Sequence, residues 1–349
     1  MADELLEVEN LRTQFDTDEG TVHAVDGVDF SVGRDETVCI VGESGSGKTV
    51  ASESVTKLIR MPPGRIDADA VRFDGTDIYS MSEKQLRQVR GRRISNIFQN
   101  PQGALNPVYT VGWQIVEAVQ MHSEKSDREA RERAVELLDR VGLPNPGTAV
   151  DEYPHELSGG QKQRVIIAMA LASEPDLLIA DEPTTALDVT IQAQILDLIR
   201  EIQEDYGMSV LFITHDLGVV AEIADRVVVM YAGKVMEKGD VYSIFENPSH
   251  PYTKALLNCL PGHGDLMGRI GGSLPSPLDP PDGCRFADRC DYVREECRQG
   301  EQPPLHELDG TDHRVSCVYY APGADPSPLQ GDADGQGSNV YSDGGYPDE

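Results

Sequence analysis

No stretch of the 349 residues approaches the roughly 18–20 consecutive apolar residues needed to cross a bilayer. The first seven residues carry neither a basic region nor an apolar core, so no secretion signal is expected. Positive charge is scarce: 30 Lys and Arg stand against 60 Asp and Glu, for a net charge of −30, and Arg far outnumbers Lys. Such a surface repels phosphate backbones, which disfavours DNA or RNA as a partner. There is no heptad run and no internal repeat. Cysteine is limited to six residues, which in a cytoplasmic chain do not form a disulfide framework by default. A cytoplasmic protein is expected, touching a membrane only through a partner. The acidity reads as solubility under salt strong enough to screen self-repulsion, with an ordinary acidic cytosolic protein as the alternative.

Against these absences stands one dense motif. Residues 42–49 read Gly-Glu-Ser-Gly-Ser-Gly-Lys-Thr, the P-loop pattern. An apolar run over 37–41 precedes it and reads as a buried strand. A segment free of Gly and Pro from 49 to 60 follows and reads as a helix. Gly42, Gly45 and Gly47, with Ser44 and Ser46, let backbone N–H groups turn around an anion, and the helix points its positive end at it. Lys48 is placed for the β- and γ-phosphates of a nucleotide and Thr49 for Mg²⁺.

Around it, residues 5–32 alternate apolar and polar and suggest short antiparallel strands joined near 16–20. Buried strands are expected at 177–180, 210–214 and 227–231, with an amphipathic helix carrying Ile191, Ile195, Leu198, Ile199 and Ile202 between the first two. Strands alternating with helices predict an α/β fold with a mainly parallel sheet. The segment 95–172 is mostly helical and is expected to form a subdomain. Composition shifts after about 239, and from 322 to 349 an acidic Gly, Ser and Pro tail is expected to be disordered.

The strand at 177–180 ends in Asp181 and Glu182. Asp181 is placed to hold Mg²⁺, and Glu182 to accept a proton from an attacking water. Leu157-Ser158-Gly159-Gly160-Gln161 opens a helix with Ser158 as its N-cap and exposes a second anion-binding surface. Two such surfaces do not easily fold round one phosphate chain within one molecule. Two molecules placed head to tail can share them, each offering its serine surface to the other's P-loop.

The order P-loop, Gln99, Leu157–Gln161, Asp181-Glu182, Asp188 and His215 resembles the ATP-binding-cassette (ABC) family over about residues 4–245. The resemblance implies a P-loop NTPase of ABC type, with an N-terminal antiparallel β subdomain, a helical subdomain and ATP and Mg²⁺ as ligands. It also implies that Gln99 contacts Mg²⁺ and opens the loop, through Tyr109, that couples to a membrane partner. His215 would contact the γ-phosphate, Asp188 would lie at the dimer interface and Phe15 would stack on adenine. Residues 98–107, 153–157, 181–190 and 248–253 resemble the dipeptide and oligopeptide importer subfamily, and residues 164–170 its first ATPase. That resemblance implies ATP-driven import, with a second ABC ATPase subunit, two integral membrane permease subunits and an extracellular substrate-binding protein. The site would be the cytoplasmic face of the plasma membrane. Nickel and oligosaccharides are further substrates of such machinery, and a soluble ABC ATPase is the competing reading. The acidic, Lys-poor composition resembles proteins of halophilic archaea.

Cys284, Cys290, Cys297 and Cys317 lie in a C-terminal extension expected over 246–321. Four thiolates can hold zinc or an iron–sulfur cluster, and free thiols or disulfides are the remaining options. Resemblance to the subfamily's extension implies a [4Fe–4S] cluster. Cys39 and Cys259 read as small core residues.

Overall fold

The computed structural model describes residues 4–330 other than Asn100, His122, Ala186, residues 261–269 and Asp309. In chain order the first elements are β1 (Glu4–Thr17), β2 (Gly20–Gly33), β3 (Thr37–Val41), α1 (Lys48–Val55), β4 (Gly64–Asp67), β5 (Ala70–Phe73), β6 (Thr76–Asp77), α2 (Glu83–Val89) and β7 (Ile94–Ile97). A helical stretch follows: α3 (Pro101–Ala104), α4 (Val111–Met121), α5 (Asp127–Arg140), α6 (Pro146–Ala149) and α7 (Gly159–Ala170). The chain then re-enters the sheet with β8 (Leu177–Asp181), α8 (Val189–Tyr206), β9 (Ser209–Thr214), α9 (Leu217–Ile223), β10 (Arg226–Tyr231) and β11 (Lys234–Asp240). It ends with α10 (Val241–Glu246), α11 (Pro251–Leu257), β12 (His306–Glu307), β13 (Arg314–Val315) and α12 (Ser327–Gln330).

Two sheets form. The larger has the order β12-β13-β11-β10-β3-β9-β8-β7, and β10, β3, β9, β8 and β7 run parallel. The smaller is antiparallel, β2-β1-β5-β6, with β4 beside β1. Side-chain alternation on the parallel strands splits the core. Cys39, Val41, Leu178, Ala180, Val210 and Phe212 face one way, towards residues of α4, α5, α7 and α8. Val38, Ile40, Leu177, Ile179, Leu211 and Ile213 face the other way, towards β1, β2 and α1. Both faces of the parallel sheet are therefore covered, which explains its near-continuous apolar strands.

The structure departs from the sequence reading at five places. The β1–β2 hairpin is two 14-residue strands rather than several short ones. Helix α1 ends at Val55, not near Arg60: Lys57 takes a left-handed φ of 51°, and Arg90 donates to the carbonyls freed at Thr56 and Lys57. The extension contributes strands to the main sheet, with Glu237 and Lys238 of β11 pairing with Val315 and Arg314 of β13. Residues 322–330, assigned by composition to the tail, end in α12. There Leu329 is buried and its carbonyl accepts from Lys254 Nζ. The remainder of the expected tail, 331–349, lies outside the described residues. Cys39 is buried as expected, but Cys259 is exposed on the turn after α11.

Candidate active site

The carboxyl ends of four adjacent parallel strands meet here. The P-loop leaves β3, His215 follows β9, Asp181 and Glu182 close β8, and Gln99 follows β7. Such an edge, where strand order reverses around β3, is where open α/β sheets bind ligands. The loop's shape depends on glycine. Gly47 caps α1 with φ 99°, and a Cβ there would come within 2.3 Å of the Ala24 carbonyl. At Gly42 a Cβ would meet the Met230 carbonyl at 2.1 Å.

Lys48 is buried, with Nζ donating to the carbonyls of Gly42 (2.7 Å) and Glu43 (2.9 Å). Burial lowers its pKa, while the charges of Glu182, Asp181 and Glu43 oppose that shift. Thr49 stands beside the Asp181 carboxyl. Burial pushes the Asp181 carboxyl up to about 6, although Thr49 and Lys48 favour its charged form. Its Oδ1 is buried without a hydrogen-bond partner.

Glu182 takes φ 46° and turns back against its neighbours. Its Oε1 lies 2.9 Å from His215 Nδ1, its Oε2 accepts from Thr185 Oγ1 at 2.9 Å, and Gln99 stands beside it. Burial works against its charge, but the hydrogen bonds from His215, Gln99 and Thr185 hold its pKa below the usual carboxylate value. It is therefore an ionised acceptor at neutral pH.

The second surface stands apart. Ser158 is exposed and caps α7, its Oγ accepting from Gln161 N–H at 3.3 Å in a reciprocal capping box. A Cβ on Gly160 would come within 2.7 Å of the Ile191 side chain, so glycine lets α7 approach the start of α8. That start is capped by exposed Asp188, whose carboxylate accepts from Ile191 N–H at 3.0 Å. The serine surface and Asp188 thus share one exposed face. Phe15 is half-buried on β1, paired with Val22 of β2 and Gly64 of β4.

After β7 the loop presents aromatic side chains to solvent. Tyr109 and Trp113 stack at 3.9 Å with exposures of 41% and 43%, beside exposed Val108. Buried Gln114 fixes this loop: its Oε1 accepts from Asn106 N–H at 2.8 Å and its Nε2 donates to the Asn106 carbonyl at 3.1 Å and the Tyr109 carbonyl at 3.2 Å.

The four C-terminal cysteines converge. Cys284, Cys290, Cys297 and Cys317 line one enclosed cavity of about 10 Å³. Burial raises the Cys284 and Cys290 thiols to about 11 and Cys317 to about 12. Among the described residues, no group of three or more His, Cys, Asp or Glu is arranged to hold a single metal ion. The four thiols share one small cavity, and an all-thiol donor set suits zinc and an iron–sulfur cluster alike.

The family model described as ABC transporter matches residues 25–185, and that described as Oligopeptide/dipeptide transporter, C-terminal region matches 236–297. The dipeptide transport ATP-binding protein DppD of Escherichia coli (strain K12) is 47% identical over 319 residues, covering 90% of this chain and 96% of its own. The oligopeptide transport ATP-binding protein OppD of Bacillus subtilis (strain 168) is 48% identical over 329 residues, covering 92% and 91%. The chain belongs to the ABC transporter ATP-binding family. Among solved structures, a dimeric ATP-binding cassette in a post-hydrolysis state with ADP and phosphate superposes with TM-score 0.59 at 28% identity, covering 68% of this chain and 98% of that one. CbiO1 of Clostridium perfringens, part of an ABC transporter complex, gives TM-score 0.59 at 31% identity, covering 70% and 92%.

As an ABC ATPase the protein takes ATP with Mg²⁺. The residues fit the ion: Asp181 Oδ1 is an unsatisfied buried acceptor beside Thr49, and such sites complete their shell with the nucleotide's phosphates. Bound Mg²⁺ would neutralise phosphate charge. Thr185 was not singled out as a site residue by the sequence, although its place three residues after Glu182 is the signal that could have found it. Glu43 likewise carries no role in the sequence reading.

Proposed function

We propose that this ATPase energises the import of peptides as the peripheral subunit of a transporter on the cytoplasmic face of the plasma membrane. What carries the reading is its likeness, across cassette and C-terminal region together, to proteins named for dipeptide and oligopeptide transport. Glu182 takes the proton of the attacking water, while His215 and Gln99 orient it and read the γ-phosphate. Gly42, Ser44, Gly45, Ser46, Gly47 and Lys48 bind phosphates, Thr49, Gln99 and Asp181 serve Mg²⁺, and Phe15 stacks on adenine. Leu157–Gln161 and Asp188 act on the nucleotide of a second ABC ATPase, most simply a different subunit. Two permease subunits dock on the Tyr109–Trp113 loop, and an extracellular binding protein delivers the peptide.

The cysteine quartet holds a [4Fe–4S] cluster that braces residues 246–321. Support comes from four thiols around one cavity in a segment poor in core. The charge of −30 suits a salt-rich cytoplasm such as that of a halophilic archaeon.

The test is reconstitution of the protein with its membrane pair and second ATPase in liposomes, with the binding protein outside and labelled dipeptide as substrate. ATP-dependent peptide uptake is expected. Uptake of nickel or an oligosaccharide instead would overturn the substrate, and failure to assemble with any membrane pair would overturn transport.

A further inference from the structure

An acidic side chain sits within the phosphate loop. Glu43 occupies its second position, close enough to influence the charge of Lys48. A triphosphate held by Lys48 lies within the field of that carboxylate, and like charges in a partly buried site oppose binding.

The C-terminal extension supplies the countercharge. Arg289, only 5% exposed, reaches across 246 residues of sequence and places Nη1 at 3.0 and 3.2 Å from the two carboxylate oxygens of Glu43. The same guanidinium donates to Tyr231 OH at 3.1 Å and to the carbonyls of Gly271 (2.7 Å) and Ile270 (3.1 Å). Its fork is thus fixed on several sides, which makes it a rigid partner rather than a swinging one. A second residue of the extension, Tyr252, accepts the Glu43 backbone N–H at 3.0 Å. Lys48 takes the Glu43 carbonyl. Nearby, Arg285 pairs with Asp26 at 2.7 Å, beside Lys234.

We propose that Arg289 is a positioning residue of the nucleotide site, which neutralises Glu43 inside the phosphate loop and thereby sets the affinity for MgATP. The extension is in this way an electrostatic part of the ATP site, whatever its cysteines hold.

Equilibrium binding of MgATP to the purified full-length chain tests this, with metal content measured alongside. Arg289→Met is expected to weaken binding about tenfold, because it strands the Glu43 charge. Adding Glu43→Gln to that variant is expected to restore affinity to within about threefold of wild type. A merely structural arginine would give no such rescue, since the second substitution repairs no packing. Glu43→Gln alone removes the negative charge from the loop and should bind MgATP at least as tightly as wild type. This variant keeps the test open if Arg289→Met fails to fold. Unchanged affinity in Arg289→Met, absence of rescue in the double variant, or weaker binding by Glu43→Gln would each overturn the proposal. Because metal content is measured alongside, a change of MgATP affinity with the metal retained is separable from failure of the cluster.

Discussion

The nucleotide edge and the cysteine-bearing extension meet at Glu43 but are held by different physics. At the edge, position is set by backbone: four neighbouring strand ends, two glycines that no Cβ could replace, and one helix start. In the extension, regular structure among the described residues after α11 amounts to two two-residue strands, short 3₁₀ turns and α12. Its position is set by one short backbone pairing, β13 on β11, and otherwise by side chains: Arg285 on Asp26, Arg289 on Glu43, and Phe286 packed edge-on to Tyr231 at 5.3 Å. A site built on strands keeps its shape when one functional side chain is neutralised. A module built on side-chain ties loses shape when one tie goes. The predictions below press on that difference.

The largest effect is expected at Glu182. Glu182→Gln keeps the size of the side chain and leaves the strand and turn in place, but removes the proton acceptor. ATP hydrolysis by the assembled transporter should fall at least about 100-fold, while MgATP binding by the variant persists. Phosphate release measured beside nucleotide binding checks both, and full turnover would remove Glu182 from its role.

The mirror-image experiment is Cys297→Ser. The substitution is nearly isosteric, yet Cys297 is buried at the shared cavity, so the module should lose the metal of the proposed cluster and become sensitive to limited protease within residues 270–321. MgATP affinity should fall no further than in Arg289→Met, about tenfold, because the strand-end geometry is intact. Wild-type protein carrying neither iron nor zinc when purified without oxygen would leave the quartet without a metal role.

This contrast also explains what the sequence could disclose. The P-loop, the Asp181-Glu182 pair and the Ser158 cap are each complete within a few residues, because strand, turn and helix are local. The parallel sheet was legible for the same reason: residues 177–180, 210–214 and 227–231 are apolar on both faces. Arg289 and Glu43 carry no local signal, being 246 residues apart. Nor do β12 and β13, which are too short to show alternation and exist through pairing, β13 with β11 and β12 with β13. Buried Leu329 was hidden in a Gly- and Asp-rich segment whose composition outweighed one apolar residue. Helix α1 was overdrawn because its end is set by Arg90, from another element, and not by a breaker in its own sequence.

A smaller effect, confined to coupling, is expected on the aromatic loop. Tyr109 and Trp113 expose a stacked pair on a loop fixed by Gln114, so replacing both by Ala should leave the nucleotide edge alone. Basal ATPase activity should stay within about twofold of wild type, while peptide uptake drops about tenfold through loss of two aromatic anchors. Equal losses in both assays would mean that the loop serves the catalytic edge rather than a membrane partner.

The smallest effect acts on both regions at once through salt. With 60 acidic and 30 basic side chains, self-repulsion opposes the compact state wherever it is unscreened. Screening tightens from about 30 Å at 0.01 M to about 3 Å at 1 M. Surface pairs such as Arg131–Asp151 and Arg72–Glu9 weaken over the same range, but exposed pairs contribute little. The net expectation is a melting temperature that rises with salt by several degrees, most steeply below about 0.1 M where the screening length is changing fastest. The two regions should separate along this series. The extension joins the cassette through the β11–β13 pairing, which salt does not screen, and through Arg285–Asp26 and Arg289–Glu43, whose arginine side chains are buried and so screened less than surface charge, and it should therefore stay docked at high salt. Protease sensitivity of residues 270–321 measured across the series checks that docking. A melting temperature flat from 0.05 to 3 M would refute the repulsion argument, and release of the extension at high salt would show that its side-chain ties are ordinary surface pairs.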